Sequence, residues 1–324
     1  MTKAMVLAAG VGSRLEPISS YIPKPLVPVL NRPVVSHILS GLRKHNISKV
    51  IMNTHYLSEK LMDYFQNNQF PGMELQFRFE AELSGDAGGV RACREFFDDG
   101  TFVVIMGDLM TSADITRLLN AHKEKKAIAT IGVKKMQDVT RFGVMRRDAN
   151  GFIKEFQEKP KAEEAISHDI STGIYILEPE VFDHIPASGM YGFGKQLFPT
   201  LVEKGLAVLG EDIGGYWSDI GTLAELFRGN MDALSGAMEV EKPENHRGLY
   251  NMAQIADNVM IGANVEMGEG VVIGERSIIG DGCVIGKNAS LRDCVVLGGS
   301  HIEEGLVLKN CIYAFGEHVE IASP

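Results

Sequence analysis

The sequence predicts an α/β protein: a mostly parallel mixed sheet flanked by helices, followed by a coil of short parallel strands. Three observations predict it. Through the first half, short apolar runs alternate with loops and amphipathic stretches in the order strand, loop, helix. From Ile261 onward an apolar residue recurs every six positions. The composition, 45% hydrophobic and 23% charged over 324 residues, is that of a globular chain able to bury one large core plus an appendage.

Taken in order, Ala4 to Ala8 (AMVLA) reads as a buried strand that breaks into Gly10-Val11-Gly12-Ser13-Arg14. Lys24 follows between Pro23 and Pro25. Pro33 to His45 carries apolar residues at helical spacing, with a proline suited to the first turn. Lys49–Asn53 is a short strand, and Ser58 is placed to cap a helix whose apolar face is Leu61, Met62 and Phe65. Glu74–Glu80 alternates as a strand, and Gly88–Phe97 reads as a helix. Phe102–Met106 is a buried strand ending at Gly107-Asp108, and Asp114 caps the helix through Leu118 and Leu119. In the middle region Phe142-Gly143-Val144 opens one strand, Phe156-Gln157-Glu158-Lys159-Pro160 closes another, and Ser171 to Ile176 opens a third. Gly221-Thr222 to Leu234 reads as a helix, and the polar stretch 236–254 as a linker. The expected domains are therefore 1–235, the linker 236–254, and a terminal domain 255–324.

In the terminal domain Ile261, Met267, Ile273, Ile279, Ile285, Leu291 and Leu297 are six apart, and Gly follows each except Leu291. Two residues before each stands Val259, Val265, Val271, Ser277, Cys283, Ala289 or Val295. This spacing is that of a β-helix, with apolar side chains stacked inside and a turn every six residues. The phase slips past Ser300, to Ile302 and Leu308. Cys283 is expected inside as a small hydrophobe, with Cys294 pointing elsewhere.

Glycines let backbone N–H groups approach phosphate oxygens, Arg14 offers a planar fork of donors, and Lys24 a compact charge. Together they suit a polyphosphate. The Gly-x-Gly lacks the third Gly of a dinucleotide fingerprint and the Gly-Lys-Ser/Thr ending of a P-loop. Asp108, directly after a buried strand, is positioned for Mg²⁺ or for capping its own turn. Glu158-Lys159 offers an acceptor for sugar hydroxyls beside a cation for a sugar phosphate, a pairing also common on solvated surfaces.

The string Leu7-Ala8-Ala9-Gly10-x-Gly12-Ser13-Arg14-Leu15-x-Pro17, with Pro23-Lys24-Pro25-Leu26, resembles the signature of sugar-1-phosphate nucleotidyltransferases. The order FGV, EKP, TGIY and Gly215-Tyr216-Trp217-Ser218-Asp219 looks like the sugar-binding half of the same family. The tail resembles left-handed parallel β-helices, which at roughly eighteen residues per coil gives about three to four coils between Gln254 and Ala322. The resemblance implies a Rossmann-like catalytic domain and nucleotidyl transfer from an NTP to a sugar 1-phosphate with release of pyrophosphate. It implies nucleotide contacts from Leu7, Ala8, Ala9, Gly10, Gly12, Ser13, Glu80, Gly85 and Asp86. It implies sugar-phosphate contacts from Gly143, Glu158, Lys159, Ser171 and Thr172. Arg14, Lys24 and Asp108 are the implied catalytic residues, and Asp108 with Asp219 the implied Mg²⁺ ligands. Trp217 suits packing as well as it suits ligand contact.

Three departures stand out. Glu16 replaces a usual basic residue, Asp86 a Thr or Ser, and Ser171 an Asn. They open the alternative of a catalytically silent subunit that senses a nucleotide sugar. Glu80 and Glu82 stand where uracil or thymine readers carry Gln; an ionised carboxylate only accepts, and guanine offers two adjacent donors. That favours GTP and mannose 1-phosphate, giving GDP-mannose, over UTP and glucose 1-phosphate. Acyl transfer by the coil, with His301 or His318, is a remoter reading.

A formal charge of −10 argues against a nucleic-acid partner. The four cysteines (Cys93, Cys283, Cys294 and Cys311) show no paired spacing, so reduced thiols and a cytoplasmic location are expected. No apolar run reaches the ~18 residues of a membrane span, and the N-terminus is a poor fit to a signal peptide. A homo-oligomer is expected, with the coil as its assembly element.

Overall fold

The computed structural model describes residues 2–97, 99–250 and 253–321. The chain forms two compact units, Met1–Val11 with Leu39–Trp217, and Gly12–Ile38 with Ser218–Pro324. Helix α1 (Val34–Lys44) runs along the chain from the second into the first.

The first unit is built on a nine-stranded sheet. Its strands are β1 (Lys3–Leu7), β2 (Lys49–Thr54), β3 (Glu74–Phe79), β4 (Phe102–Met106), β5 (Ala129–Lys135), β6 (Gly143–Arg147), β7 (Ile153–Glu158), β8 (Asp169–Leu177) and β9 (Val208–Asp212). The order is β7-β6-β8-β4-β1-β2-β3, with β5 joining β8 to β9. β4, β1, β2 and β3 run parallel, while β8 is antiparallel to β4, β5 and β6. Strands β1 and β4 read as continuous apolar runs because both of their faces are covered: Ala4, Met5, Val6, Val103 and Val104 have no exposed surface. The chain steps outward from β1 to β2 to β3, then returns to lay β4 on the other side of β1. That reversal is a switch point, the place in such sheets where ligands commonly bind.

The helices α2 (Ser58–Asn67), α3 (Asp86–Ala92), α4 (Arg94–Phe97), α5 (Ile115–Glu124) and α6 (Phe198–Glu203) belong to this unit. Asp114 caps α5 as expected, accepting from Arg117 N at 2.9 Å. Ser58 does not cap α2. Leu57 takes the cap position in a left-handed conformation, so Ser58 is already helical and its hydroxyl makes no cap bond. The helix expected over Gly88–Phe97 starts earlier, at Asp86, and breaks at Cys93. Ser171 lies inside β8 rather than at its start, just before an irregularity at left-handed Gly173.

The second unit holds three short 3₁₀ turns (Ser13–Leu15, Ile18–Ser20 and Lys24–Leu26), helix α7 (Leu223–Ser235) and the coil. Helix α7 opens with a reciprocal cap: Thr222 Oγ1 accepts from Glu225 N, and the Glu225 carboxylate accepts from Gly221 N. Left-handed Gly236 ends it. Buried Asn230 accepts from Leu30 N at 2.9 Å and donates to Pro28 O, fixing the segment after Lys24 to α7. The stretch 236–254 is less free than a linker. Asn245 bonds Val259 O, Tyr250 bonds Val265 O, and Met238 is buried; residues 251–252 lie outside the described ones, as do 322–324.

In the coil, strands stack in parallel register: Val259 on Ser277, Glu266 on Val284, Val272 on Ser290. These steps are eighteen residues. After Leu291 they become seventeen: Ile279 lies on Val296, Ile285 on Ile302, and Leu291 on Leu308. The phase therefore slips before Leu297, not past Ser300. The corner at Arg292-Asp293, with Asp293 left-handed, is one residue shorter than the corner 274–276 below it, and the corner at Lys309-Asn310 repeats it. As a result Cys294 and Val296 line the interior core in place of Val295 and Leu297. Cys294 points inward, correcting the sequence reading, and its Sγ lies 3.6 Å from that of Cys311. Cys283 is interior as expected.

Candidate active site

The first unit supplies three groups of the expected residues, two of them at the carboxyl ends of β1 and β4. At the end of β1, Ala8 and Ala9 are buried and Ala8 N donates to Asn53 Oδ1 at 2.8 Å. Asn53 Nδ2 in turn donates to Glu80 Oε1 at 2.6 Å. Glu80 Oε2 accepts from Ser84 Oγ at 2.6 Å and from Ser84 N at 3.2 Å. A Cβ on Gly89 would strike Asn53 Nδ2 at 2.7 Å, so that helix can approach only as glycine. Both oxygens of Glu80 thus accept within a buried network. That engagement weakens the argument for GTP from Glu80. Asn53, which sequence reasoning passed over as the last residue of an apolar strand, joins the two loops. Its signal was a polar amide at a strand end in an otherwise apolar run.

At the end of β4, Gly107 N donates to Leu7 O at 2.9 Å, which places the Gly107-Asp108 turn beside the end of β1. Asp108 therefore leaves the sheet at the switch point.

The third group gathers around Gly192–Gly194. Asp86 Oδ1 accepts from Ala87 N at 2.8 Å and from Phe193 N at 2.7 Å. A Cβ on Gly194 would overlap the Glu158 carboxylate, and one on Gly143 would come within 3.0 Å of it, so Glu158 rests on two glycines. Burial holds the carboxyls of Asp86 and Glu158 above their ordinary range; the negative charge of Asp86 adds to the effect on Glu158, and Lys159 opposes it. Lys159, in a left-handed conformation, lies 3.6 Å from Glu158. Ser171 Oγ is 3.3 Å from the buried Tyr175 hydroxyl. Asp86 thus acts electrostatically on Glu158. Gly85, also expected at the nucleotide, packs on the Tyr191 carbonyl. The Thr172 side chain is buried, its hydroxyl donates to Gly132 O at 2.7 Å, and its carbonyl accepts from the Trp217 indole at 2.8 Å. Trp217 is accordingly a packing residue, edge-on to Phe142 at 5.5 Å.

The second unit carries the cations. Gly12 takes a left-handed conformation (φ 74°) at the start of the Ser13–Leu15 turn, and a Cβ there would press on Lys24 Cβ at 3.3 Å. Glycine at 12 is therefore required both by φ and by the nearness of Lys24. The Lys24 side chain is largely buried, with its Nζ 3.8 Å from Asp219 Oδ1. Arg14 is exposed. Glu16 accepts from Ser20 Oγ at 2.6 Å, which turns its charge to a local bond.

Among the described residues no three His, Cys, Asp or Glu side chains gather as a metal cage. Asp108 and Asp219 are nonetheless of the right kind for Mg²⁺, which takes oxygen ligands, commonly one or two carboxylates with substrate phosphates completing the shell.

Comparison with known proteins agrees with this chemistry. Residues 3–236 match the Nucleotidyl transferase family, and residues 255–323 match the GMPPB C-terminal domain. The chain is similar to a UTP--glucose-1-phosphate uridylyltransferase from Synechocystis sp., 40% identical over 79% of this chain and 70% of the relative. It is also similar to a mannose-1-phosphate guanylyltransferase catalytic subunit beta from Danio rerio, 31% identical over 98% of this chain and 87% of the relative. A crystal structure of a putative glucose-1-phosphate thymidylyltransferase from Bacillus anthracis superposes with a TM-score of 0.66 at 28% identity, covering 75% of this chain and 98% of that one. The chain belongs to the sugar-1-phosphate nucleotidyltransferase family.

Proposed function

We propose that this enzyme transfers a uridylyl group from UTP to glucose 1-phosphate, releasing pyrophosphate and UDP-glucose. The observation that carries the choice of base is the engagement of Glu80 with Asn53 and Ser84, which takes up most of the acceptor capacity that favoured guanine. The name borne by the 40% identical relative supports the same choice. A second reading, GTP and mannose 1-phosphate, is favoured by the match of the tail to the GMPPB C-terminal domain.

In either reading a sugar-phosphate oxygen attacks the α-phosphorus in line. One P–O bond forms, the bond to the bridging α–β oxygen breaks, and its electron pair leaves with pyrophosphate. The attacking group is already an anion near neutral pH, so no general base is required. Crowded negative oxygens are the obstacle, and positioned positive charge lowers it. Arg14 and the amides of the Leu7–Ser13 loop hold the β- and γ-phosphates. A Cβ at Gly10 would meet nothing of the protein within 4 Å, so its glycine is explained by a ligand's approach rather than by packing. Lys24, packed against Gly12 and with its Nζ 3.8 Å from Asp219, neutralises charge growing at the α-phosphate. Lys159 draws in the sugar phosphate, while Glu158, Asp86 and Ser171 accept from sugar hydroxyls. Asp108 and Asp219 are each carboxylates of the kind that would ligate Mg²⁺, which supplies a Lewis acid for the phosphoryl oxygens.

The test is pyrophosphate release from each of four NTPs with glucose 1-phosphate and with mannose 1-phosphate. Turnover greatest with UTP and glucose 1-phosphate is the expected result. Preference for GTP and mannose 1-phosphate would favour the second reading, and silence in all eight mixtures would favour a sensor subunit.

A further inference from the structure

The coil ends in a hairpin formed by β10 (Val307–Ala314) and β11 (Glu317–Glu320), with Ala314 opposite Glu317. Only Phe315 and Gly316 remain for the turn, and both have positive φ, 55° and 84°. Two-residue turns of this kind favour Asn-Gly, because a left-handed conformation crowds a bulky side chain. Phenylalanine is a poor choice for the turn, so the reason for its presence lies outside the turn. Its ring is 45% exposed and is not part of the coil's interior core. It stacks on Tyr21, with ring centroids 4.2 Å apart and planes 28° from parallel. The coil's other terminal aromatic, Tyr313, behaves differently: it is buried and donates to His301 O.

Tyr21 stands between Arg14 and Lys24, three residues before the lysine. It closes the Ile18–Ser20 turn through a bond from its own N–H to Ile18 O, and Ile22-Pro23-Lys24 follows directly. From 13 to 26 this segment is a succession of short 3₁₀ turns with no strand to hold it. The coil itself is secured to neighbouring chain: Asn31 Nδ2 donates to Ile279 O at 2.7 Å. The hairpin tip is thus a point against which the exposed Tyr21 can lean, beside a segment whose Leu15, Ile18 and Ser19 are buried. We infer that Phe315 and Tyr21 are positioning residues for nucleotidyl transfer: their stack holds the Arg14–Lys24 segment in the conformation that grips the triphosphate. The inference rests on the roles proposed for Arg14 and Lys24 above.

The telling variant is Phe315→Asn, because asparagine suits the turn better than the residue it replaces. The coil should melt no lower than in the wild type. Yet kcat/KM for the nucleotide should fall roughly threefold to tenfold, the range an aromatic pair's own contribution allows. KM for the sugar phosphate should hold, and amides 13–26 should exchange hydrogen faster. Tyr21→Ser, which leaves the hairpin untouched, should reproduce these effects, and the double variant should add nothing to either. Phe315→Tyr should keep the exchange protection. Wild-type kinetics and wild-type exchange at 13–26 in both Phe315→Asn and Tyr21→Ser would overturn the inference. If the wild type transferred no nucleotidyl group at all, the proposed function would fall while hydrogen exchange still decided the stack.

Discussion

Two sets of polar side chains, one in each unit, are held in opposite ways. In the first unit Asn53, Glu80 and Ser84 are joined by bonds of 2.6 to 3.2 Å, with Asn53 and Glu80 almost wholly buried. In the second, Lys24 and Asp219 face each other at 3.8 Å, beyond hydrogen-bond length, and Arg14 is exposed. A buried network of short internal bonds fixes backbone. The second set instead holds opposite charges near one another in a partly exposed setting. In the proposed function the first set shapes the nucleotide loop and the second works on the nucleotide.

Substitutions should separate the two. The largest effect is expected from Lys24→Ala: kcat should fall about 10²- to 10³-fold, as when one preorganised transition-state donor is lost, with little change in nucleotide affinity. Pre-steady-state turnover beside equilibrium titration of UTP checks this, and an unchanged kcat would remove Lys24 from its role. Next comes Asn53→Leu, which leaves the buried Glu80 carboxylate and Ala8 N–H without their partner. It should lower stability by about 2 to 4 kcal/mol, read from urea unfolding, and raise KM for the nucleotide. A loss of kcat with stability intact would show that Asn53 acts on substrate directly.

The smallest effect concerns Glu158. Its folded pKa lies above the ordinary carboxyl value of 4.5 because burial and Asp86 disfavour the charge. Protonation therefore favours the folded state, and the stabilisation is lost as pH rises through the folded pKa. Glu158→Gln should melt higher than wild type at pH 8, and the difference should shrink as pH falls toward 4.5. The wild type's KM for the sugar phosphate should climb over the same descent, because a protonated carboxyl loses acceptor capacity. A difference in melting that is constant with pH would contradict this.

Much of this architecture was legible in the sequence. Apolar runs at β1 and β4 are continuous because both faces are buried, and the six-residue period of the coil is a direct image of its stacking. The missing residue at Arg292-Asp293 was misplaced because Val295-Val296-Leu297 offers an apolar residue in either phase. Only the stacking of Cys294 on Cys311 chooses between them. At the site, motif spacing identified Arg14, Lys24, Asp108 and Glu158 as candidates. It could not reveal that Glu80 and Thr172 are consumed by internal bonds, because their partners lie 27 and 40 residues away in the chain. Asn53 was hidden for the same reason.

The central claim is most directly tested by following both products of the UTP and glucose 1-phosphate reaction together. One pyrophosphate for each UDP-glucose, lost on chelation of magnesium and restored by adding it back, is the expected result. Release of inorganic phosphate without a nucleotide sugar, or no product of either kind, would contradict it.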